Sequence, residues 1–217
     1  MIEAVIFDMD GVIIDSEPMW EIAEIEIFKE LGIEMTVDMC MEMKGRKIDE
    51  VVLHWYNIFK WNKISVNEVV EKIISKMQEL ISEKGEAMTG LYEILDYFKS
   101  KNLKIGLASS SKMELIDNVV DKLKIREYFN VIHSAEYEKA GKPEPDVYLR
   151  TAKKIGFKVE NIIAIEDSYL GIISAKKAGM RTIAIPAENV YTDEKFLIAD
   201  FKIKQLNDIF KLDIFKN

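Results

Sequence analysis

The apolar positions of this chain follow two rhythms. Residues Ala4-Val5-Ile6-Phe7 form a short unbroken apolar run, cut by Asp8-Met9-Asp10-Gly11. Such a run suits a strand buried on both faces of a parallel sheet. From about residue 17 to 84 the rhythm is helical. Ile22, Ile25 and Phe28 recur every three residues and Ala23, Ile27 and Leu31 every four, a broad apolar face that Gly32 stops. Val51, Val52, Trp55, Ile58 and Phe59 predict a second helix, and Val66, Val69, Val70, Ile73, Ile74, Met77, Leu80 and Ile81 a long third one.

From about residue 87 helices and strands alternate. Helices near 90–101, 112–123, 145–156 and 169–178 each precede a strand, at 103–108, 129–134, 162–165 and 181–185. This alternation predicts an α/β fold, a Rossmann-like parallel sheet with helices on both faces and right-handed crossovers. The first strand belongs to that sheet by character, so the helical stretch is an insertion after it. The expected division is core at 1–16, a small α-helical insert at 17–86, and core α/β domain at 87–217.

Composition narrows the class. Of 217 residues, 48% are hydrophobic and 31% charged, a globular balance with enough apolar material for a sizeable core. The net charge of -8 gives no global attraction for nucleic acid or anionic lipid, so an anionic ligand needs a local basic pocket. The single Cys40 can form neither an internal disulfide nor a multi-cysteine zinc site, and reads as a small apolar filler in a reducing compartment. No stretch reaches the roughly 18 apolar residues of a membrane span. The first apolar run has no basic leader. The expectation is a monomeric cytoplasmic protein with no nucleic-acid or membrane partner.

Ligands of open α/β sheets bind beyond the carboxyl ends of the strands. There the sequence places Asp8 and Asp10, then Ser109-Ser110-Ser111, then Gly141-Lys142-Pro143, then Glu166-Asp167. Converging carboxylates repel unless something neutralises them. A hard divalent cation does so, and magnesium prefers oxygen ligands beside phosphate. Lys142 and the Ser109 hydroxyl suit a phosphoryl group. Of two acids two residues apart, one can attack phosphorus while the other protonates the leaving oxygen. Each residue alone has a plainer reading. Asp8 and Asp10 are also turn residues, Ser109 a helix N-cap, Lys142 a solvated lysine, and Glu166-Asp167 a cap for the next helix.

The runs Asp8-Met9-Asp10-Gly11-Val12, Ser109, Lys142-Pro143 and Glu166-Asp167-Ser168 resemble, in order and spacing, the four motifs of the haloacid dehalogenase superfamily. The resemblance covers essentially the whole chain and implies these roles. Asp8 is the nucleophile, and Asp10 the general acid and then base. Ser109 and the amide of Ser110 bind phosphate oxygens, and Lys142 screens charge. Asp8, the Asp10 backbone carbonyl, Asp167 and Glu166 hold Mg2+. The second acid separates the phosphatases of that superfamily from its dehalogenases. The helical insert resembles that superfamily's small α-helical cap domain, and this cap is expected to swing on linkers near 15–18 and 84–88.

The substrate is expected to be a small phosphorylated metabolite. Asp15-Ser16-Glu17-Pro18-Met19-Trp20, Gly45-Arg46-Lys47-Ile48-Asp49, Trp55-Tyr56 and Trp61-Asn62 resemble bacterial phosphatases of 2-deoxyglucose 6-phosphate and hexitol phosphates. That points to Glu17, Trp20, Arg46 and Lys47 as substrate contacts. Arg46 and Lys47 also read as solvated surface and Trp55 as core. Ser111-Lys112 reads as a helix start or as a grip on the far end of the substrate. The rival is a β-phosphoglucomutase, which has a histidine in the linker where this chain has Trp20. A non-enzymatic phospho-acceptor is a third reading; such domains lack the second acid and the helical cap.

Overall fold

The computed structural model describes residues 1–215. Its strands are β1 (Ala4–Phe7), β2 (Lys104–Ser109), β3 (Val131–Ser134), β4 (Ile162–Glu166), β5 (Arg181–Ala184) and β6 (Phe201–Lys202). They form one parallel sheet in the order β3-β2-β1-β4-β5-β6. Its helices are α1 (Glu17–Glu30), α2 (Val37–Glu42), α3 (Ile48–Phe59) and α4 (Val66–Lys84), all between β1 and β2. After them come α5 (Leu91–Ser100), α6 (Met113–Lys122), α7 (Asp146–Ile155) and α8 (Tyr169–Lys177). The α/β architecture is the one the hydrophobic rhythm predicts.

Strand pleating sorts the core. Val5 and Phe7 point to one face of the sheet and pack with Leu95 and Phe98 of α5 and Leu115 and Val119 of α6. Ala4 and Ile6 point to the other, against Val147 and Tyr148 of α7 and Ala175 of α8. β1 lies central, so every residue in it is buried, as an unbroken apolar run requires. The Phe7 ring meets Phe98 edge-on at 6.0 Å and Phe129 at 6.4 Å.

In the insert, Ala23, Ile27 and Phe28 of α1 share one core with Val69, Val70, Ile73 and Met77 of α4. A capping box between Ser65 and Glu68 starts α4, and Phe28 meets Trp61 edge-on at 5.6 Å. The insert lies against the sheet domain. Lys112 pairs with Glu71 at 2.9 Å, and Gln78 donates to Glu114 at 2.9 Å. The two connecting segments run side by side, with the Asp15 amide on the Glu86 carbonyl and the Met88 amide on the Ile13 carbonyl.

The structure departs from the expected pattern in several places. α1 is rotated from the predicted face: Ile22 is 42% exposed while Glu24 is only 6% exposed. Ile58 and Phe59, read as part of the α3 face, are exposed, while Trp55 is core. β3 starts at Val131 rather than 129, because a 3-10 turn at Arg126–Tyr128 delivers the Phe129 ring to the core before pairing begins. α2 and the two-residue β6 are too short to leave a periodic signal.

Phe98→Ala should cost about 3–5 kcal/mol, since a buried ring is lost from a packed cluster. Urea unfolding reads this directly; a loss below about 1 kcal/mol would contradict the described packing.

Candidate active site

The sheet sets the site. The Asp8 amide donates to the Ile165 carbonyl at 2.9 Å, extending the β1–β4 ladder one residue past Phe7. The Ile185 amide holds the Glu166 carbonyl at 2.7 Å from the other side. The side chains that leave these strand ends are thus set on rigid backbone. In this strand order the crevice between β1 and β4 is where the connections reverse direction, the usual place for a ligand.

Asp8, Glu166 and Asp167 are all buried, each with a carboxylate oxygen within 4.8 Å of the others. Lys142, only 1% exposed, inserts among them, with Nζ 2.8 Å from Asp8 Oδ1 and 2.5 Å from Glu166 Oε1. Tyr148 also donates to Glu166 Oε1 at 2.6 Å, and Ser168 donates to Oε2 through its hydroxyl at 3.0 Å and its amide at 3.3 Å. The Lys142–Pro143 peptide is cis. Lys142 is thus an interior cation, which excludes its solvated-surface reading.

Two glycines make the close packing possible. Gly11 has φ +69°, and a Cβ there would collide with the Asp167 carboxylate. Gly171, in the first turn of α8, lets that helix pass directly over Glu166. The helix is capped by Ser168, which accepts from the Gly171 amide at 3.0 Å, so Glu166 and Asp167 are free of the capping role.

Asp10 has a separate set of partners. Its Oδ1 accepts from Ser16 at 2.6 Å and from the Trp20 indole at 2.9 Å, and its Oδ2 accepts from Ser111 at 2.7 Å. The fully buried Ser109 hydroxyl accepts from the Ser111 amide at 3.0 Å and does not cap a helix; α6 begins after Lys112. The Ser110 hydroxyl donates to the Gly45 carbonyl of the insert at 2.7 Å.

The insert also sends a cation to the site. Lys44 Nζ lies 2.6 Å from Asp167 Oδ2 and 3.4 Å from Glu17 Oε2. Asp8, Asp10, Asp167, Glu17, Trp20, Glu24, Lys44, Arg46 and Ser110 line one cleft between insert and sheet. Of the expected substrate contacts, Glu17, Trp20 and Arg46 therefore face this cleft. Lys47 is not among its lining residues. Its stem packs on Gly141 and its Nζ reaches the Glu138 carbonyl at 3.4 Å, so it ties the insert to the Lys142 loop. Lys112 is paired with Glu71 rather than directed to the cleft.

Charge accounts for the shifts. Burial, then Glu166, push the Asp8 carboxyl well above the usual carboxylate range, against the pull of Lys142. Burial likewise raises Asp167 to about 6 although Lys44 opposes it. Burial disfavours the Lys142 ammonium, but Asp8 and Glu166 overcome this and hold it above the usual lysine range. The carboxylates outnumber the cations available, so the set calls for more positive charge.

Sequence reasoning missed Lys44, Ser16, Tyr148 and Glu24. Ser16 sits in the linker run already singled out. Lys44 and Tyr148 carry no local signal, because only tertiary packing brings them to the acids.

Glu24 gives a pH signature. Burial raises its carboxyl from 4.5 to about 7. The folded state therefore holds this proton more tightly than the unfolded chain, and the stability it contributes below about 4.5 is lost as pH rises through about 7. Glu24→Gln should flatten that part of the stability profile in urea unfolding at pH 5 and pH 8. An equal decline in both proteins would contradict it.

Residues 5–185 match the family of haloacid dehalogenase-like hydrolases. The chain is 37% identical over 212 residues to hexitol phosphatase B of Escherichia coli K12, covering 97% of this chain and 96% of that one. It is 30% identical to a phosphorylated carbohydrates phosphatase of Thermotoga maritima, over 83% of each. Its fold superposes on a β-phosphoglucomutase of Clostridium difficile with a TM-score of 0.84 at 28% identity, over 96% of this chain and 93% of that one. With its four motifs gathered at the ends of β1, β2 and β4 and in the loop before α7, this chain belongs to the haloacid dehalogenase-like hydrolases.

Proposed function

We propose that this protein is a magnesium-dependent phosphomonoesterase that hydrolyses sugar or sugar-alcohol phosphates through an aspartyl-phosphate on Asp8. The observation that carries the reading is the buried cluster of Asp8, Glu166 and Asp167 around Lys142. An acid nucleophile must be ionised, yet burial and the neighbouring carboxylates oppose that in Asp8, and Lys142 only partly offsets them. A divalent cation resolves the conflict.

The donor set fits magnesium: hard anionic oxygens, close together and buried. Asp8 and Asp167 would hold it directly, with the Asp10 backbone carbonyl. Glu166, whose oxygens already accept from Lys142, Tyr148 and Ser168, would support from beside it. The ion supplies charge neutralisation for phosphate and carboxylates.

The residues divide the chemistry. The Asp8 carboxylate attacks phosphorus, and the bond from phosphorus to the sugar oxygen breaks. Asp10 gives a proton to that leaving oxygen. Asp10 then takes a proton from the water that attacks the phosphorus of the aspartyl-phosphate, releasing inorganic phosphate and free Asp8. Lys142 balances the charge on the transferring group. The Ser109 hydroxyl, accepting from the Ser111 amide, keeps its own hydrogen for a phosphate oxygen. Ser16, Trp20 and Ser111 position Asp10.

Trp20 favours hydrolysis over the mutase reading. An indole only donates; bonded to Asp10 Oδ1, it can anchor that acid but cannot relay a proton as a linker histidine can. The activities named for the Escherichia coli and Thermotoga maritima relatives support the substrate class. Helices α1–α4 serve as the cap, closing the cleft through Lys44, Gly45 and the Lys112–Glu71 pair and opening on the two paired linkers. A reducing cytoplasm suits a protein whose single cysteine is buried.

Phosphate release from a panel of hexitol phosphates, hexose 6-phosphates, β-glucose 1-phosphate, nucleotides and phosphoglycolate tests the reading, with Asp8→Asn as the blank. Release that needs both Asp8 and magnesium, stops with chelator and is fastest on sugar or sugar-alcohol phosphates is the expected result. A bisphosphate accumulating from glucose 1-phosphate would favour the mutase, and a long-lived phospho-Asp8 without release the acceptor domain. Asp10→Asn should lower kcat about 10²–10⁴-fold; steady-state rates showing a loss of less than about tenfold would move the proton donor elsewhere.

A further inference from the structure

Helix α1 breaks its own amphipathic pattern. Ile22 is 42% exposed, while Glu24, two residues on, is 6% exposed. Burial of Ala23, Ile27 and Phe28 turns position 24 inward and position 22 outward, yet the sequence places an acid at the inner position and an apolar side chain at the outer one. Such a mismatch between pattern and packing is expected where a residue serves function rather than stability.

The Glu24 carboxyl lies beside the Cys40 thiol, and its Oε2 has no hydrogen-bond partner. A buried acceptor left unpaired costs free energy, more so when it belongs to a charged group. Glu24 lines the same cleft as Asp8 and Asp10. Glu17, Trp20 and Glu24 recur at i, i+3 and i+7, one stripe of α1 along that cleft. Trp20 is bonded to Asp10, so Glu24 lies one helical turn, about 6 Å, farther along the stripe from the reacting acids. Around it the cleft is lined by Met41, Met43, Ile48 and Val51.

We propose that Glu24 determines substrate specificity, its carboxyl pairing with a hydroxyl on the carbon chain of the substrate, remote from the phosphoester. This assignment rests on the sugar-phosphatase reading above. The surrounding apolar side chains would take the C–H face of the same chain. Either protonation state of a carboxyl can pair with a hydroxyl, as acceptor when ionised and as donor when neutral.

The test compares kcat/KM on a hexitol 6-phosphate with kcat/KM on p-nitrophenyl phosphate, which carries no hydroxyl chain, for wild type, Glu24→Leu and Glu24→Gln. The ratio of the two should fall about 10- to 100-fold in Glu24→Leu and less in Glu24→Gln, which keeps a hydrogen-bonding group. The melting temperature of Glu24→Leu should stay level or rise, because an unpaired buried acid is gone. An unchanged ratio in both variants, or equal losses on both substrates, overturns the assignment. If Glu24→Leu does not fold, Glu24→Gln decides alone: a ratio lowered by at least about threefold supports the pairing and an unchanged ratio overturns it. Wild type that cleaves p-nitrophenyl phosphate but no sugar or polyol phosphate refutes the substrate class itself, and this assignment with it.

Discussion

Lys142 is the keystone of this molecule. An ammonium group 1% exposed would be costly alone, and so would each buried carboxylate beside it. Together Asp8, Lys142 and Glu166 satisfy one another in a chain of contacts at 2.8 and 2.5 Å. Removing Lys142 leaves Asp8 and Glu166 as buried acids without an ion-pair partner. The loop from Gly141 to Pro145, the close pass of α8 over Glu166 at Gly171 and the Tyr148 hydroxyl all exist in the geometry that keeps this chain complete. The balance is still short of positive charge, and that shortage favours binding of a cation beside the three acids.

The two parts of the chain contribute different things. The sheet supplies rigid placement, because Asp8 and Glu166 leave backbone that is hydrogen-bonded to neighbouring strands. The insert supplies contacts from the other side: Lys44 on Asp167, the Gly45 carbonyl on Ser110, and Trp20 on Asp10. Asp10 is therefore held by both parts at once, through Ser111 from the β2 end and through Ser16 and Trp20 from the linker and α1. Contact between insert and sheet and the placement of Asp10 therefore depend on each other in this arrangement.

Much of this was legible in the chain before its fold was known. The unbroken run before Asp8 marks a central strand because a doubly buried strand tolerates no polar position. The acids, the serine run and the lysine fall at strand ends because that is where the alternation of helices and strands puts them. What was not legible depends on three-dimensional packing. The burial of Glu24 runs against the periodicity of α1, so pattern alone turns that helix the wrong way. Lys47 looks like a cleft cation in sequence, yet its stem is committed to Gly141, and its neighbour Lys44 takes the place instead. Tyr148 sits on a helix face with nothing local to show that its hydroxyl ends on Glu166.

The central claim is that Asp8 becomes covalently phosphorylated during turnover. Rapid acid quench of a single turnover with a hexitol phosphate, followed by peptide mass analysis, tests it most directly. The account predicts a phosphoryl group on Asp8 that appears at least as fast as steady-state turnover and decays to inorganic phosphate. Turnover with no phosphoryl group on Asp8 at any time would contradict it.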